Sequence, residues 1–178
     1  MILILRQRIV VVAQLAVGLV ALPAFAGAQA HAHGAPPPVA AAQGPDADRV
    51  TRTIEALFAA AERGDLAALD TLYAGDSLTV IEGAGINRGW RDYRDNHLAP
   101  ELKEFRDFKY HPQEIVVHVT GDVAWATYRY ALSATVGERK VDVVGRGTAI
   151  LERRGARWVV RHTQTASRPR RPSDPPMS

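Results

Sequence analysis

Apolar side chains recur at helical spacing in the first patterned region of the chain. Across residues 50–63, intervals of three and four predict an amphipathic helix, whose apolar face is formed by Val50, Ile54, Leu57, Phe58 and Ala61. Gly64 is suited to end it. The carboxylate of Asp65 is suited to cap a second, short helix. A third helix is predicted over residues 90–98, ending near Pro100 because proline lacks the backbone N–H that a helix needs.

Around residue 78, and again after the third helix, the pattern changes to the alternation that is typical of β-strands. A short strand over residues 78–82 precedes a break at Gly83-Ala84-Gly85. Tight turns such as Gly121-Asp122 then separate four long strands, predicted over residues 108–119, 123–136, 139–153 and 157–167. We expect a β-bulge near Pro112. Helices followed by strands predict an α+β domain, with the helices on one face of a curved antiparallel sheet.

The N-terminus has the three parts of a secretory signal peptide. Residues 1–8 contain two arginines and no acid, residues 9–26 are almost entirely apolar, and small residues follow from Ala24 to Ala30. This order predicts a signal peptide over residues 1–28, with cleavage after Ala28 and alternatives after Ala26 and Ala30. The alternative, an uncleaved membrane anchor, is disfavoured by Pro23 and the small residues. We therefore expect a periplasmic or secreted protein of bacterial type, with no membrane association after cleavage.

Two further segments have the composition of disordered chain. Residues 29–48 are rich in alanine, proline and glycine, and residues 168–178 are proline-rich and basic. Such segments bury too little apolar surface to offset the entropy of ordering them. We interpret the first as a linker and the second as a tail, which assigns the folded domain to residues 49–167.

Composition and charge exclude several classes of function. The 178 residues are 47% hydrophobic and 23% charged, which fits one globular domain. Because cysteine is absent, a disulfide framework and a thiolate metal site are excluded. The formal net charge of +3 includes Arg6 and Arg8 of the predicted signal peptide. The mature chain is thus nearly neutral, and we expect no nucleic-acid partner. Nucleotide-binding glycine motifs are also missing, and we expect no cofactor.

Strand alternation indicates which side chains face the interior. Trp158 and Val160 share one face of the last strand, and the same phase places His162 and Gln164 beside them. On the strand that begins at Val123, the more apolar set of alternate residues includes Tyr128 and Tyr130. On the short strand, Glu82 shares a face with Leu78 and Val80. Burial would raise the pKa of that carboxyl, which makes Glu82 a candidate general base; a solvated strand-end glutamate is the alternative.

The third predicted helix presents a second set of candidates. Tyr93, His97 and Glu101 stand four residues apart, and Trp90 stands three before Tyr93, so that they share a face. His97 is a candidate acid or base, although a structural role is the alternative. The candidate catalytic residues are therefore Glu82 and His97, and the candidate ligand-binding residues are Trp90, Tyr93, Tyr128, Tyr130, His162 and Gln164.

Two histidine pairs raise the possibility of metal binding. His97 and His162, together with Glu82 or Glu101, have the ligand types of a two-histidine, one-carboxylate site. If cleavage follows Ala28, His31 becomes the third residue of the mature chain, a position from which it can chelate Cu(II) with the terminal amine. Solvated linker histidines are the alternative, and we assign no metal site.

Four stretches of the sequence resemble the SnoaL-like branch of the nuclear transport factor 2-like superfamily. They are AAERGDLAALDTLYAGDSLTVIEG at 60–83, RGWRDYRDNHLAPELKEF at 88–105, GDVAWATYRYAL at 121–132 and GRGTAILERRGARWVVRHTQTAS at 145–167. The resemblance implies a cone-shaped, curved antiparallel sheet that wraps around the N-terminal helices and encloses one apolar pocket. It also implies a homodimer built through the outer face of the sheet, where Trp125 and Arg129 are candidate interface residues.

The same resemblance permits a comparison with ketosteroid isomerases, which use a carboxylate base, a tyrosine and a protonated aspartate. Glu82 lies near the base position, whereas Leu57 and Thr148 or Gly147 stand near the other two. We therefore favour an exported protein that binds a small apolar or amphipathic molecule. The alternative is an acid–base enzyme of isomerase, cyclase or dehydratase type that uses Glu82 and His97. A metal-binding protein that uses His97 and His162 is a third hypothesis.

Overall fold

The computed structural model describes residues 41–174. The predicted signal peptide, residues 29–40 of the predicted linker with His31 and His33, and residues 175–178 of the predicted tail lie outside the described residues. No helix in the described range is both long and apolar enough to span a membrane.

The first helix begins earlier than the apolar pattern predicts. Helix α1 (Pro45–Glu62) begins inside the segment interpreted as linker. Its first turn is held in place because Ala47 is buried and Arg153 donates two hydrogen bonds to the carboxylate of Asp46, at 3.0 and 2.7 Å. Helix α2 (Leu66–Leu72) is capped as predicted by Asp65, whose side chain accepts from the backbone N–H of Ala68. A 3-10 turn (Gly75–Ser77) follows.

The third predicted helix does not end near Pro100. It is built from α3 (Trp90–Tyr93), a π-helical turn (Arg94–Leu98) and α4 (Ala99–Glu104). Pro100 cannot donate the hydrogen bond that a regular helix requires of it, and the wider π-helical turn directly before α4 accommodates it. The helical path therefore continues to Glu104.

Six strands form one curved, unclosed sheet, which confirms the predicted α+β fold. They are ordered β2-β1-β6-β5-β4-β3; the pair β1–β6 is parallel and the other pairs are antiparallel. The strands are β1 (Thr79–Glu82), β2 (Gly85–Arg88), β3 (Phe105–Thr120), β4 (Val123–Val136), β5 (Arg139–Arg154) and β6 (Arg157–Pro169). Strand β2 was not predicted, because Gly83-Ala84-Gly85 was interpreted as a break. Gly83 and Ala84 are instead the turn of a hairpin between β1 and β2. Strand β6 enters the predicted tail, where Arg168 pairs with Asp174 at 2.7 Å.

Bulges in two strands change the phase of alternation. In β3 the register against β4 shifts twice, at Asp107 and Glu114, which adopt left-handed φ angles of 52° and 50°. These bulges lie on either side of Pro112 rather than at it. In β6, Ile150 pairs with His162 but Leu151 pairs with Val160. Arg161 is therefore an extra residue, and the residues after it point to the opposite faces from those expected.

The inner face of the sheet packs against α1 and is rich in aromatic rings. Tyr128 lies opposite Gly147 in the register of β4 and β5, and Tyr130 lies opposite Gly145. A β-carbon on Gly147 would come within 2.5 Å of the Tyr128 ring. The two glycines thus leave the space that the two tyrosine rings occupy.

Candidate functional site

Glu82 ends β1 on the face that points into the cone. Alternate residues of a strand share a face, and Leu78 and Val80 on the same face are buried at 1% exposure. The Glu82 side chain itself is 32% exposed. It therefore reaches both the interior and solvent, at the open end, or mouth, of the cone.

The helical segment that follows β2 brings two polar side chains into contact with this carboxylate and a third into contact with His97. The hydroxyl of Tyr93 donates to Glu82 Oε1 at 3.1 Å, and His97 Nε2 lies 2.9 Å from Glu82 Oε2. Glu101 Oε1 is also 3.4 Å from His97 Nε2. The spacing of four residues places Tyr93, His97 and Glu101 on one face, and the π-helical turn keeps His97 within reach of Glu101 despite Pro100.

Asn87, a residue that the sequence analysis did not select, contacts the other nitrogen of His97. It lies in β2 opposite the buried Val80, and its Oδ1 is 3.0 Å from His97 Nδ1. Its amide nitrogen donates to Asp92 Oδ2 at 3.1 Å. Asn87 was missed because local spacing does not record a contact between β2 and the π-helical turn. The strand itself had one signal in the sequence, the alternation of Ile86 and Asn87 after Gly85.

These contacts favour the charged form of His97. Hydrogen bonds to Glu101 and to Glu82 raise the pKa of its imidazole from 6.5 to about 10, against the opposing effect of partial burial. Both ring nitrogens face oxygen acceptors, which suits an imidazolium that donates from each. At neutral pH the mouth of the cone therefore holds a cation between the carboxylates of Glu82 and Glu101.

Aromatic rings fill the interior behind this polar mouth. The ring centroids of Phe58 and Tyr110 are 4.2 Å apart, and those of Tyr110 and Tyr130 are 5.4 Å apart. Burial raises the pKa of the Tyr93 and Tyr110 hydroxyls well above 10, so that the phenols stay protonated. Tyr128 and Tyr130 face inward as predicted. Phe58 and Tyr110 join them in the inner wall, although the sequence did not assign these two to a site.

Trp90 is part of the same aromatic cluster and is itself buried. Its ring stacks on Tyr73 with centroids 4.7 Å apart, and its indole N–H donates to Asp70. Tyr73 in turn lies edge-on to Tyr93 at 6.0 Å. Trp90 therefore supports the ring of Tyr73 and, through it, the tyrosine that bonds to Glu82.

Two residues predicted to line the interior lie on the outer face of the sheet. The bulge at Arg161 reverses the phase of β6, so that Thr163, rather than His162 or Gln164, points inward and is buried. Gln164 is exposed. The prediction for His162 and Gln164 was wrong because an extra residue in one strand cannot be recognised from alternation alone.

The hypothesis of a metal site at His97 and His162 is wrong for the same reason, since the two histidines lie on opposite faces of the sheet. Between residues 41 and 174, no group of three or more histidine, cysteine, aspartate or glutamate side chains is arranged to hold a metal ion.

Two clefts lie outside the aromatic interior. One, of about 410 Å³, is on the outer face of the sheet beside His162 and Arg161. The other, of about 510 Å³, adjoins the helical segment and is polar, lined by Asp76, Arg88, Gly89, Arg91, Asp92, Asp95 and Asn96. Neither includes Glu82, His97 or the inner tyrosines.

Comparisons with known proteins show the family and the fold of the chain. The family profile described as SnoaL-like domain matches residues 50–168, and no curated protein matches the chain. A nuclear transport factor 2-like superfamily protein from Salmonella enterica is similar in structure, with a TM-score of 0.63 and 17% identity over 71% of this chain and 92% of that one.

Two similar structures carry names that include an activity. A candidate ketosteroid isomerase from Shewanella frigidimarina has a TM-score of 0.58 and 20% identity, covering 65% of this chain and 92% of its own. A candidate dehydratase from Streptomyces avermitilis has a TM-score of 0.61 and 20% identity, covering 68% and 96%. At these identities the likeness shows the fold.

Proposed function

The chain belongs to the SnoaL-like domain family, and we propose that it is an acid–base enzyme of isomerase, cyclase or dehydratase type. Its substrate is a small apolar or amphipathic molecule that binds at the mouth of the cone. The observation that carries the proposal is the 2.9 Å contact between His97 Nε2 and Glu82 Oε2. A carboxylate able to take a proton thus stands beside an imidazolium able to give one.

Glu82 and His97 together supply the base and the acid of a dehydration, after which both return to their starting protonation states. Glu82 takes a proton from the carbon next to a substrate carbonyl, the bond from the β-carbon to its hydroxyl breaks, and His97 Nε2–H protonates the departing oxygen to form water. Glu82 is then a carboxylic acid and His97 a neutral imidazole. Proton transfer along the hydrogen bond between them returns both to the starting state.

An isomerisation uses the same two groups differently. Glu82 takes a proton from one carbon of an unsaturated ketone and returns it to another, while the N–H of His97 stabilises the intermediate enolate oxygen. The hydrogen bond from Tyr93 to Glu82 Oε1 fixes the carboxylate in either reaction. The names of two similar structures, an isomerase and a dehydratase, add support for this class of chemistry.

Proton abstraction can be tested before the natural substrate is identified. We would incubate the full mature protein in D₂O with cyclic ketones, including a β-hydroxy ketone and a β,γ-unsaturated ketone. α-Proton exchange would be followed by NMR and enone formation by ultraviolet absorbance. Glu82→Gln is expected to lower the exchange rate by about 100-fold or more. Glu104→Gln, a carboxylate at the end of α4, is the matched control and should retain the wild-type rate. Equal rates for Glu82→Gln and wild type would contradict the proposal.

Binding without catalysis is the second candidate function. The observation that favours it is that protein acceptors occupy both ring nitrogens of His97, as in a structural ion pair. Native mass spectrometry of the protein purified from its own host would then show a retained organic mass. Glu82→Gln would keep that mass, and every ketone would exchange at the buffer rate.

Export is a separate proposal, supported by the sequence of residues 1–30. Cell fractionation combined with intact-mass measurement tests it. A periplasmic or extracellular protein that begins at Gln29 is expected. A full-length protein in the membrane fraction would indicate an uncleaved anchor instead.

We also propose a homodimer through the outer face of the sheet. Trp125 and Val123 are 42% and 51% exposed there, and Trp125 is stacked on His118 with ring centroids 3.9 Å apart. Trp125→Glu is expected to convert a dimer into a monomer in light-scattering measurements, because it places a charge in an apolar contact. Arg63→Glu, on an exposed helix end, is the control. A monomeric wild type would refute the proposal.

A further inference from the structure

We propose that Asn87, oriented by Asp92, is a positioning residue that keeps a proton on His97 Nδ1 and so leaves Nε2 as the nitrogen that exchanges protons with Glu82. The proposal rests on the proposed function, because the proton exchange between His97 and Glu82 is a step of the proposed reaction. The geometry that carries it is a chain of hydrogen bonds from α3 through β2 to the π-helical turn.

Asp92 is held by three donors. It accepts from the backbone N–H of Arg88 at 3.0 Å, from Asn87 Nδ2 at 3.1 Å and from Asn96 Nδ2 at 2.9 Å. Hydrogen bonds from Asn96, Asn87 and Arg88 lower the pKa of its carboxyl. Asp92 is therefore an ionised acceptor on which the amide group of Asn87 is anchored.

That anchor decides which end of the Asn87 side chain faces His97. An ionised carboxylate has acceptors only, so the amide nitrogen of Asn87 must point to Asp92. The amide oxygen is thereby turned toward His97 Nδ1, at 3.0 Å. An oxygen acceptor at this distance takes a hydrogen bond from Nδ1–H, so the imidazolium donates from Nδ1 to Asn87 and from Nε2 to Glu82.

The surroundings of His97 leave one nitrogen for proton exchange. Glu82 from β1 and Glu101 from α4 both face Nε2, and Asn87 from β2 faces Nδ1. From α3, the ring of Tyr93 packs at 5.2 Å, and the Asp92 charge acts on the ring through Asn87. Once Glu82 has taken a proton from the substrate it can donate to Nε2, so the proton that the imidazolium gives up in the proposed cycle leaves from Nε2. In the proposed cycle this is the atom that protonates the leaving group and is then reprotonated by Glu82.

The test reads the protonation of each nitrogen directly, without substrate. Histidine labelled with ¹⁵N is introduced into the full mature protein, and long-range ¹H–¹⁵N spectra are recorded from pH 6 to pH 11, with His97→Gln used for assignment. In the wild type we expect imidazolium at neutral pH, with both nitrogens protonated and Nδ1–H hydrogen-bonded to Asn87. In Asn87→Leu we expect at least a tenfold lower proton affinity of the ring, because the acceptor at Nδ1 is gone.

Matched variants make the result specific. Asn96→Leu makes the same change at another hydrogen-bond donor to Asp92, with no described contact to His97, and should keep the wild-type proton affinity of His97. Asp92→Asn retains Asn87 but loosens its anchor, and we expect a smaller decrease in that proton affinity; it also serves if Asn87→Leu fails to fold. The inference is overturned if Asn87→Leu and Asp92→Asn keep the wild-type proton affinity, or if Asn96→Leu lowers it as much as Asn87→Leu does.

The ketone exchange assay separates this inference from the proposed function. No exchange in any variant, with the expected proton affinities of His97, would refute the enzyme and leave the positioning role of Asn87 intact. Exchange that is abolished by Glu82→Gln but unaffected by Asn87→Leu, with an unchanged proton affinity of His97, would refute the positioning role alone.

Discussion

His97 Nε2 lies 2.9 Å from Glu82 Oε2, although the two residues belong to a π-helical turn and to the end of a β-strand. The contact joins the helical segment to the mouth of the sheet and forms the centre of the candidate site. Because one partner is a histidine, the contact also makes the stability of the fold depend on pH.

We predict that the free energy of unfolding decreases between pH 6.5 and about 10 through His97. The folded pKa is about 10, above the ordinary 6.5; the stabilisation is therefore complete below pH 6.5 and is lost as the pH rises through 10. His97→Gln should remove this part of the pH dependence. The loss of unfolding free energy across this pH range should then be smaller than in the wild type by at least about 1.4 kcal/mol, the equivalent of one pKa unit. Urea denaturation at a series of pH values measures it.

The control for this prediction is His118→Gln. His118 stacks on Trp125 on the other face of the sheet and has no acidic partner among residues 41–174. It should keep the wild-type pH dependence. If His97→Gln and wild type lose equal stability over this pH range, the ion pair does not stabilise the fold.

Removing the Tyr93 hydroxyl should reduce activity without unfolding the protein. Tyr93→Phe deletes the donor to Glu82 Oε1 but keeps the ring that packs edge-on to Tyr73. One hydrogen bond to a charged group contributes about 1.5–3 kcal/mol, and its loss should lower the ketone exchange rate by about tenfold to a hundredfold. Tyr110→Phe, with no described hydrogen bond to Glu82, is the control. Equal losses in both variants would mean that the hydroxyl of Tyr93 does not position the carboxylate.

Gly147→Ala should be destabilising, because a β-carbon there would come within 2.5 Å of the Tyr128 ring. Overpacking of this kind costs about 1–3 kcal/mol, which a chemical denaturation curve detects. Gly85→Ala, whose added β-carbon would make an ordinary contact at 3.4 Å, should change stability by less than about 0.5 kcal/mol. If Gly147→Ala proves as stable as wild type, the tyrosine ring can move aside without cost.

Asp107→Gly should increase stability. Asp107 is exposed and occupies a left-handed conformation with φ of 52°, which is strained for residues that carry a β-carbon. Relief of that strain is expected to add about 1 kcal/mol, visible as a higher midpoint in urea. Asp107→Ala keeps a β-carbon and should give no such gain. A lower midpoint for Asp107→Gly would indicate that the flexibility gained by the unfolded chain outweighs the strain.

The sequence by itself determined the order of helices and long strands. Apolar spacing identified the buried face of α1, alternation placed Tyr128 and Tyr130 inside, and four-residue spacing aligned Tyr93, His97 and Glu101. These predictions succeeded because each depends on a local period that holds as long as the backbone is regular.

Only the tertiary structure decided which elements contact each other and which way the side chains face after a bulge. The extra residue Arg161 moved His162 and Gln164 to the outer face, and the π-helical turn carried the third helix past Pro100. Asn87 became a partner of His97 through pairing between β2 and β1, which no local pattern records. A single inserted residue reverses every following side chain, because the period of a strand is two. Bulges and non-local pairs therefore had to be observed in the folded chain.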